Sequence, residues 1–320
     1  MHGAENSPLR GLGFAFLAFG LFATHDAIVK ALGQDYSVFQ ILFFAVLFAF
    51  IPMSVLVLAD QTSANFRPRH PWLVIARSIL SLTAMSSAFY AFVTLPLAEA
   101  YALLFATPLL ITALSVPLLG ETVRVQRWAA VAVGLVGVII VLRPGVTELT
   151  PGHLAALVSA LASSLASIIM RKIGSEERSA VLILYPMLSS ILVMGATLPV
   201  VYVPVELPSL GLMAAVGLLS VVAQLCTISA YRFAPAAVVA PTQYSQILWA
   251  TGYGVVFFAE RPDNMVALGA AIIIASGIFI VWRESRPSVS DRNPVLKSAN
   301  PRFDAGPSPR PKGLWQRVRG

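Results

Sequence analysis

The sequence predicts an all-α polytopic membrane protein of ten transmembrane helices, built as two inverted five-helix repeats. Three observations carry that expectation. The 320-residue chain is 57% apolar and 12% charged, with a mean hydropathy of +0.79; a soluble domain carries about twice that charge. Its apolar residues fall into ten runs of about 20, the length that crosses a bilayer core. Two of these stretches, 95–121 and 234–260, also align without a gap at one constant offset. They share Pro96/Pro235, Ala98/Ala237, Leu109/Leu248, Thr112/Thr251, Val116/Val255 and Glu121/Glu260, the mark of a duplicated unit.

The runs are read in order as helices over 11–31, 38–59, 72–93, 97–119 and 125–142, then 152–170, 180–202, 209–231, 236–259 and 264–281. Breakers separate them, such as Arg-Pro-Arg-His-Pro at 67–71 and Arg-Pro-Gly at 143–145. The first run follows a single arginine and has no clear cleavage site, so it is expected to stay as helix 1. The organisation that follows is a short N-terminus (1–10), a first repeat (11–142), a second repeat (143–282) and a tail (283–320).

Lys and Arg concentrate on the cytoplasmic side of membrane spans. Alternate connections carry Arg10; Arg67 and Arg69; Arg124 and Arg127; Arg171, Lys172 and Arg178; and Arg232, against Lys30, Arg143 and Arg261 in the other set. Nine against three places both termini in the cytoplasm. Five is odd, so a duplicated five-helix unit enters the membrane the opposite way the second time. The first helices of the halves echo each other in Lys30-Ala-Leu-Gly33 and Arg171-Lys-Ile-Gly174.

The net charge of +7 belongs almost wholly to the tail, which holds nine Lys/Arg and three Asp/Glu; a nucleic-acid partner is therefore not expected. Its Pro-, Ser- and Arg-rich composition predicts disorder. Its basic end, 312–319, is read either as a contact to anionic headgroups or as a plain solvated anchor. Cys226 is the single cysteine, which excludes an intrachain disulfide framework and a cysteine zinc cluster.

With the ten helices go two closing acids, in Leu-Gly-Glu121 and Phe-Ala-Glu260. On these residues the membrane part, about 11–282, resembles the drug/metabolite transporter superfamily, EamA type. Within it the chain is similar to a subgroup that includes S-adenosylmethionine and riboflavin carriers, through Asp26 and Lys30 in helix 1, Arg77 opening helix 3 and Pro241-x-x-Tyr244 in helix 9. The resemblance implies a secondary transporter in a cell's inner membrane and leaves its substrate open.

Candidate substrate-binding residues are the polar groups that lipid cannot satisfy. Asp26, with His25 before it and Lys30 one turn later, is read in two ways. Asp26 and Lys30 neutralise each other at i,i+4, or Asp26 meets a cationic group or a proton. Arg77 either snorkels to the interface or contacts an anion. Tyr90 is kept as a lining residue of helix 3, whose hydroxyls otherwise serve packing. Glu99 follows the Pro-Leu-Ala after which this family often places an acid, and is otherwise a first-turn acid favoured by the helix dipole. Gln224 lies near the middle of helix 8. In helix 9, Tyr244 and Gln246 cannot face one direction together, and Pro241 removes a backbone bond; Tyr244 is expected to line the cavity. Tyr253 offers a stacking face for a flat ring. Glu121 and Glu260 are read as structural, and Ser159, Ser163 and Ser167 as a packing stripe. Gly134 with Val138, and Gly269 with Ile273, are read as close-contact or homodimer faces.

The mixture of acid, base, amide and aromatic groups suits a zwitterion with a flat or apolar part, such as an amino acid, a nucleoside-like metabolite or a vitamin, moved by alternating access. No Walker loop is present, and no cofactor or metal site is read. The competing classes are a channel, which would need a ring of like charges or a carbonyl filter, and an intramembrane enzyme, for which His-Glu-x-x-His and Gly-x-Ser-x-Gly patterns are lacking. The expected partners are a small-molecule substrate and the lipid bilayer.

Overall fold

The computed structural model describes residues 8–58, 67–121, 123, 125–146, 148–174, 176–261 and 263–284; the basic tail from 285 and Arg124 lie outside them. All regular structure among the described residues is helical. The first repeat forms α1 (Pro8–Leu32), α2 (Val38–Leu58), α3 (Pro71–Thr94), the broken pair α4 (Leu97–Leu104) and α5 (Thr107–Leu119), and α6 (Val125–Leu142). The second forms α7 (Pro151–Ile173), α8 (Ser179–Val201), α9 (Leu207–Phe233), the broken pair α10 (Ala236–Val239) and α11 (Gln246–Phe258), and α12 (Asn264–Glu284). Nine segments among the described residues are long and apolar enough to cross a membrane. The remaining crossing, 236–258, is interrupted by a 3-10 turn at Ala240–Ser245. Pro241, which has no N–H to continue an α-helix, sits in that turn. We call the end of the bundle where α1 begins the near face and the opposite end the far face.

The duplication reaches the level of helix caps. α4 and α10 start at equivalent positions, as do α5 and α11, and α5 and α11 end at equivalent positions, Leu119 and Phe258. Both end on a left-handed residue, Gly120 at φ 68° and its counterpart Ala259 at φ 52°. The next amide closes the turn in both copies: Glu121 N donates to Ser115 O and Glu260 N to Gly254 O, again equivalent residues. This is the left-handed cap that satisfies orphan helix carbonyls.

The two halves meet on a pseudo-two-fold axis marked by self-related contacts. Phe105 and Tyr244 are equivalent residues, and their rings pack edge to face with centroids 5.0 Å apart. Further along the axis α6 crosses α12. Gly137 lies against the Gly269 carbonyl, where a Cβ would come within 2.8 Å, and Ser276 donates to the Ala130 carbonyl. Each of those contacts is the symmetry mate of the other. The glycine faces of helices 5 and 10 thus meet inside the chain.

A side chain at Gly137 would have to push two backbones apart. Gly137→Leu is expected to destabilise the detergent-solubilised protein by about 1–3 kcal/mol, the usual cost of overpacking. Gly13→Ala, at a position with no atom within 4 Å of the added carbon, is expected to leave the melting temperature unchanged or slightly raised. Thermal unfolding of the two variants checks both expectations.

Candidate functional site

The bundle encloses one large cavity among the described residues, about 210 Å³, walled by α1–α3 of the first repeat and α7–α9 of the second. It extends from mid-bundle toward the near face. On α2 the wall runs from Ala45 to Leu56, on α3 from Arg77 to Met85, on α8 from Leu182 to Ser190 and on α9 from Gly217 to Ile228. Equivalent residues of the repeats line it together: Ala45 with Pro186, Val46 with Met187, Ala49 with Ser190, Ser81 with Ser220 and Met85 with Gln224. Gly217 is needed at the wall because a Cβ there would strike the Ala45 carbonyl of α2.

The wall is mostly apolar, with Met53, Met85 and Met187 as adaptable surfaces. Its strongly polar groups are few and each occurs in one repeat only. Arg77 is buried and donates to the Leu182 carbonyl at 2.6 Å, linking α3 to α8. Gln224 is buried, and its Nε2 has no hydrogen-bond partner. His25 forms part of the wall and its Nδ1 lies 2.9 Å from Asp26 Oδ1. Asp26 itself is fully buried behind that wall, where Tyr101 Oη donates to its other oxygen. A chain of polar groups therefore leads from the cavity through an imidazole to a carboxylate and a phenol.

The far face is closed by polar links between the repeats. Lys30 Nζ lies 2.8 Å from Glu260 Oε1 and donates to the carbonyls of Leu95 (2.6 Å) and Phe92 (3.2 Å). Glu260 Oε2 accepts from Leu97 N at 2.9 Å. The amide of Gln40 exchanges two hydrogen bonds with the Val203 backbone. Thr150 N donates to His153 Nδ1, which leaves the ring proton on Nε2 for Glu99, 2.9 Å away. Arg143 bonds Asp263, and that hydrogen bond holds the Asp263 carboxyl below its ordinary range. Such a depressed group stabilises the closed end above its unfolded-state range, and the contribution fades as pH falls through the lowered value. On the near face Arg171 pairs with Glu121, the symmetry mate of Lys30 with Glu260.

The residues singled out by sequence separate into three groups. Arg77 and Gln224 lie on the cavity wall, and Asp26 lies one residue behind it. Lys30 and Glu99 belong to the far-face closure; Lys30 pairs with Glu260 and the carbonyls that end α3 instead of Asp26, whose oxygens are taken by His25 and Tyr101. Tyr90, Tyr244, Gln246 and Tyr253 lie off the wall. Tyr90 is 40% exposed on the outer surface of α3. Tyr244 is buried on the pseudo-axis against Phe105, with its Oη close to Gly277. Gln246 is buried with no partner for Nε2, and Tyr253 Oη meets Thr24 Oγ1 at 2.8 Å. The serine stripe of helix 6 divides: Ser159 donates to the Ala84 carbonyl as packing, while Ser163 lines the cavity. Tyr101, His153 and Gln40 escaped the sequence reading. A tyrosine two residues past Glu99 and a histidine at the third position of a Thr-capped helix were the signals available.

The model of the EamA-like transporter family matches this chain over residues 9–143 and 150–282. The S-adenosylmethionine uptake transporter of Rickettsia felis is 26% identical over 289 residues, covering 89% of this chain and 97% of that protein. The pseudopaline exporter CntI of Pseudomonas aeruginosa is 25% identical over 276 residues, covering 84% and 95%. The riboflavin transporter of Rhizobium johnstonii is 29% identical over 224 residues, covering 70% and 74%. A solved crystal structure shares the fold at a TM-score of 0.56 and 21% identity, covering 88% of this chain and all of that one.

Lys30 and Glu260 have side chains only 9% and 15% exposed, so removing one partner strands the other. Lys30→Met is expected to cost about 3–5 kcal/mol of stability. Lys30→Met combined with Glu260→Met is expected to cost clearly less, since no lone charge remains buried. Comparing the unfolding of both in detergent measures the difference.

Proposed function

The chain belongs to the EamA-like transporter family, and on that premise we propose that it carries small amphiphilic or zwitterionic metabolites across a cell's inner membrane by alternating access. The observation behind the substrate class is the cavity wall. A guanidinium, an amide and an imidazole backed by a carboxylate, with the hydroxyls of Ser81, Ser163, Ser190 and Ser220, interrupt a mostly apolar surface. Arg77 offers a carboxylate or phosphate a charged donor fork. His25, polarised by Asp26, offers the opposite side of the substrate a group able to accept or hold a proton. The methionines and Phe22 accommodate a flat or apolar body. An entering anion replaces the Leu182 carbonyl as the partner of Arg77, so the bond between α3 and α8 responds to occupancy.

The positive-inside count orients the near face toward the cytoplasm, and the cavity then faces the cytosol. The relatives include both an uptake transporter and an exporter, so direction is set by gradients and coupling.

Counterflow into proteoliposomes loaded with a panel tests the class: S-adenosylmethionine, riboflavin, an aromatic amino acid and a fully apolar dye. Exchange of the dye alone would sink the reading. For whichever amphiphile exchanges, Arg77→Gln is expected to raise the apparent KM about tenfold to a hundredfold, from about 1.5–3 kcal/mol per charge-assisted hydrogen bond. Tyr90→Phe, on the outer surface, is expected to leave KM unchanged.

A further inference from the structure

The repeats are equivalent in sequence register, yet their first and third helices are packed differently. In the first repeat α1 packs on α3; in the second the counterparts α7 and α9 barely touch. The difference is concentrated at the corners that close helices 1 and 6, Lys30-Ala-Leu-Gly33 and Arg171-Lys-Ile-Gly174. Gly33 sits directly against Val93 near the end of α3, so tightly that any Cβ would overlap the valine side chain. Lys30, one turn earlier, caps the Phe92 and Leu95 carbonyls where α3 ends. At Gly174 the nearest atoms all belong to Met170 of its own helix, whose carbonyl oxygen would lie 2.5 Å from an added Cβ, so that corner is held by α7 itself and not by α9. The residue equivalent to Val93 is Arg232, near the end of α9.

The ion pairs behave otherwise. Lys30 with Glu260 and Arg171 with Glu121 are symmetry mates, and both are formed together. So are the links from each first loop to the amide that caps α3 or α9: His70 N donates to Glu177 Oε1, and Glu206 N donates to Tyr36 Oη. Contacts present at both ends of an asymmetric state do not distinguish its ends. In the inverted state, where the repeats exchange conformations, the same pairs would form again.

We propose that the Lys30–Gly33 and Arg171–Gly174 corners are reciprocal latches, and that the ion pairs to Glu260 and Glu121 are pivots kept in both states. In the state described, Gly33 is seated on Val93 and the far face is shut. In the opposite state Gly174 seats on the Arg232 segment of α9, drawing α7 onto α9 and closing the near face, while Gly33 and Lys30 release the end of α3. Gly33 accepts the close approach of the α3 end in the state described, and in the opposite state Gly174 takes the same approach from α9. This inference rests on the transport reading only for its purpose; its geometry is tested without substrate.

In a Cys226→Ser background, Ser81→Cys on the cavity wall reports access to a membrane-impermeant maleimide added from either side of proteoliposomes. Two disulfide pairs are added separately and oxidised before labelling: Gly33→Cys with Val93→Cys, and Gly174→Cys with Arg232→Cys. The first is expected to confine labelling to the near side. The second is expected to bond more slowly and then to cut near-side labelling by at least about tenfold while opening the far side; reduction restores the starting pattern. If the 174–232 pair never bonds, or bonds without moving the label, the latch model is wrong. Glycine variants give a test independent of crosslinking. Gly33→Leu should admit label from the far side, and Gly174→Leu should leave it confined to the near side; the same sidedness in both would overturn the proposal. A label that switches sides in a protein that exchanges no member of the metabolite panel would leave the latches standing and remove the substrate reading instead.

Discussion

An ammonium can be buried in this bundle only where the backbone has carbonyls to spare, and the fold supplies that place at the joint between α3 and α4. A helix leaves its last carbonyls and its first amides without internal partners. α3 ends at Thr94 and α4 begins at Leu97, so orphan acceptors and orphan donors lie side by side at the far face, on the buried residues Phe92, Leu95 and Leu97. Lys30 takes the acceptors at Phe92 and Leu95, and Glu260 takes the donor at Leu97 N. The two side chains then neutralise each other. One contact therefore satisfies a helix end, a helix start and two buried charges, and it joins α1, the α3–α4 joint and the end of α11. Without it the break between α3 and α4 would leave the backbone groups at Phe92, Leu95 and Leu97, all on buried residues, without these partners.

The same economy explains why the duplicated halves could diverge. The scaffold contacts are those that symmetry repeats: the left-handed caps at Gly120 and Ala259, the Phe105–Tyr244 ring pair, and the interlocked backbones of α6 and α12. Each depends on backbone shape or on a residue meeting its own counterpart, so drift in either copy is penalised twice. The cavity wall carries no such constraint. Arg77, Gln224 and His25 stand opposite Val216, Met85 and Ala166, and chemistry can be placed in one repeat while the other supplies apolar surface.

The architecture was legible because it is written in periods and lengths: ten apolar runs and a repeat of five. The sequence also exposed the equivalence of Glu121 with Glu260 and the echo of Lys30–Gly33 in Arg171–Gly174, which turned out to mark the two ends of the bundle. Partner choice was less legible. Lys30 has a carboxylate one turn away at Asp26, and local spacing favours that pair; the carbonyls and the acid that hold it come from residues 62 to 230 positions distant. The run Pro241–Gln246 stands out by its polarity and its proline; it reads as part of one continuous helix and as a lining surface, whereas the helix is interrupted there by a 3-10 turn. It lies instead on the pseudo-axis, where Tyr244 fills space against Phe105. Polarity in a membrane segment marks a departure from lipid, and protein interior answers it as well as a wet cavity does.

The two ends of the bundle are nevertheless unequal in chemistry, and that inequality bears on which state is favoured. At the far end the cation is a lysine, a compact ammonium that collects oxygens from three directions, and it meets two carbonyls, a carboxylate and the face of Phe258. At the near end the equivalent residue is an arginine, whose planar fork matches one carboxylate best, and it meets Glu121. Closure of the far face is thus reinforced by the cation that serves it, which bonds both the end of α3 and Glu260. In the proposed cycle a substrate between Arg77 and His25 supplies the remaining free energy to exchange the two arrangements, and the Arg77 bond to the Leu182 carbonyl that it would replace lies at the end of the cavity that has to move.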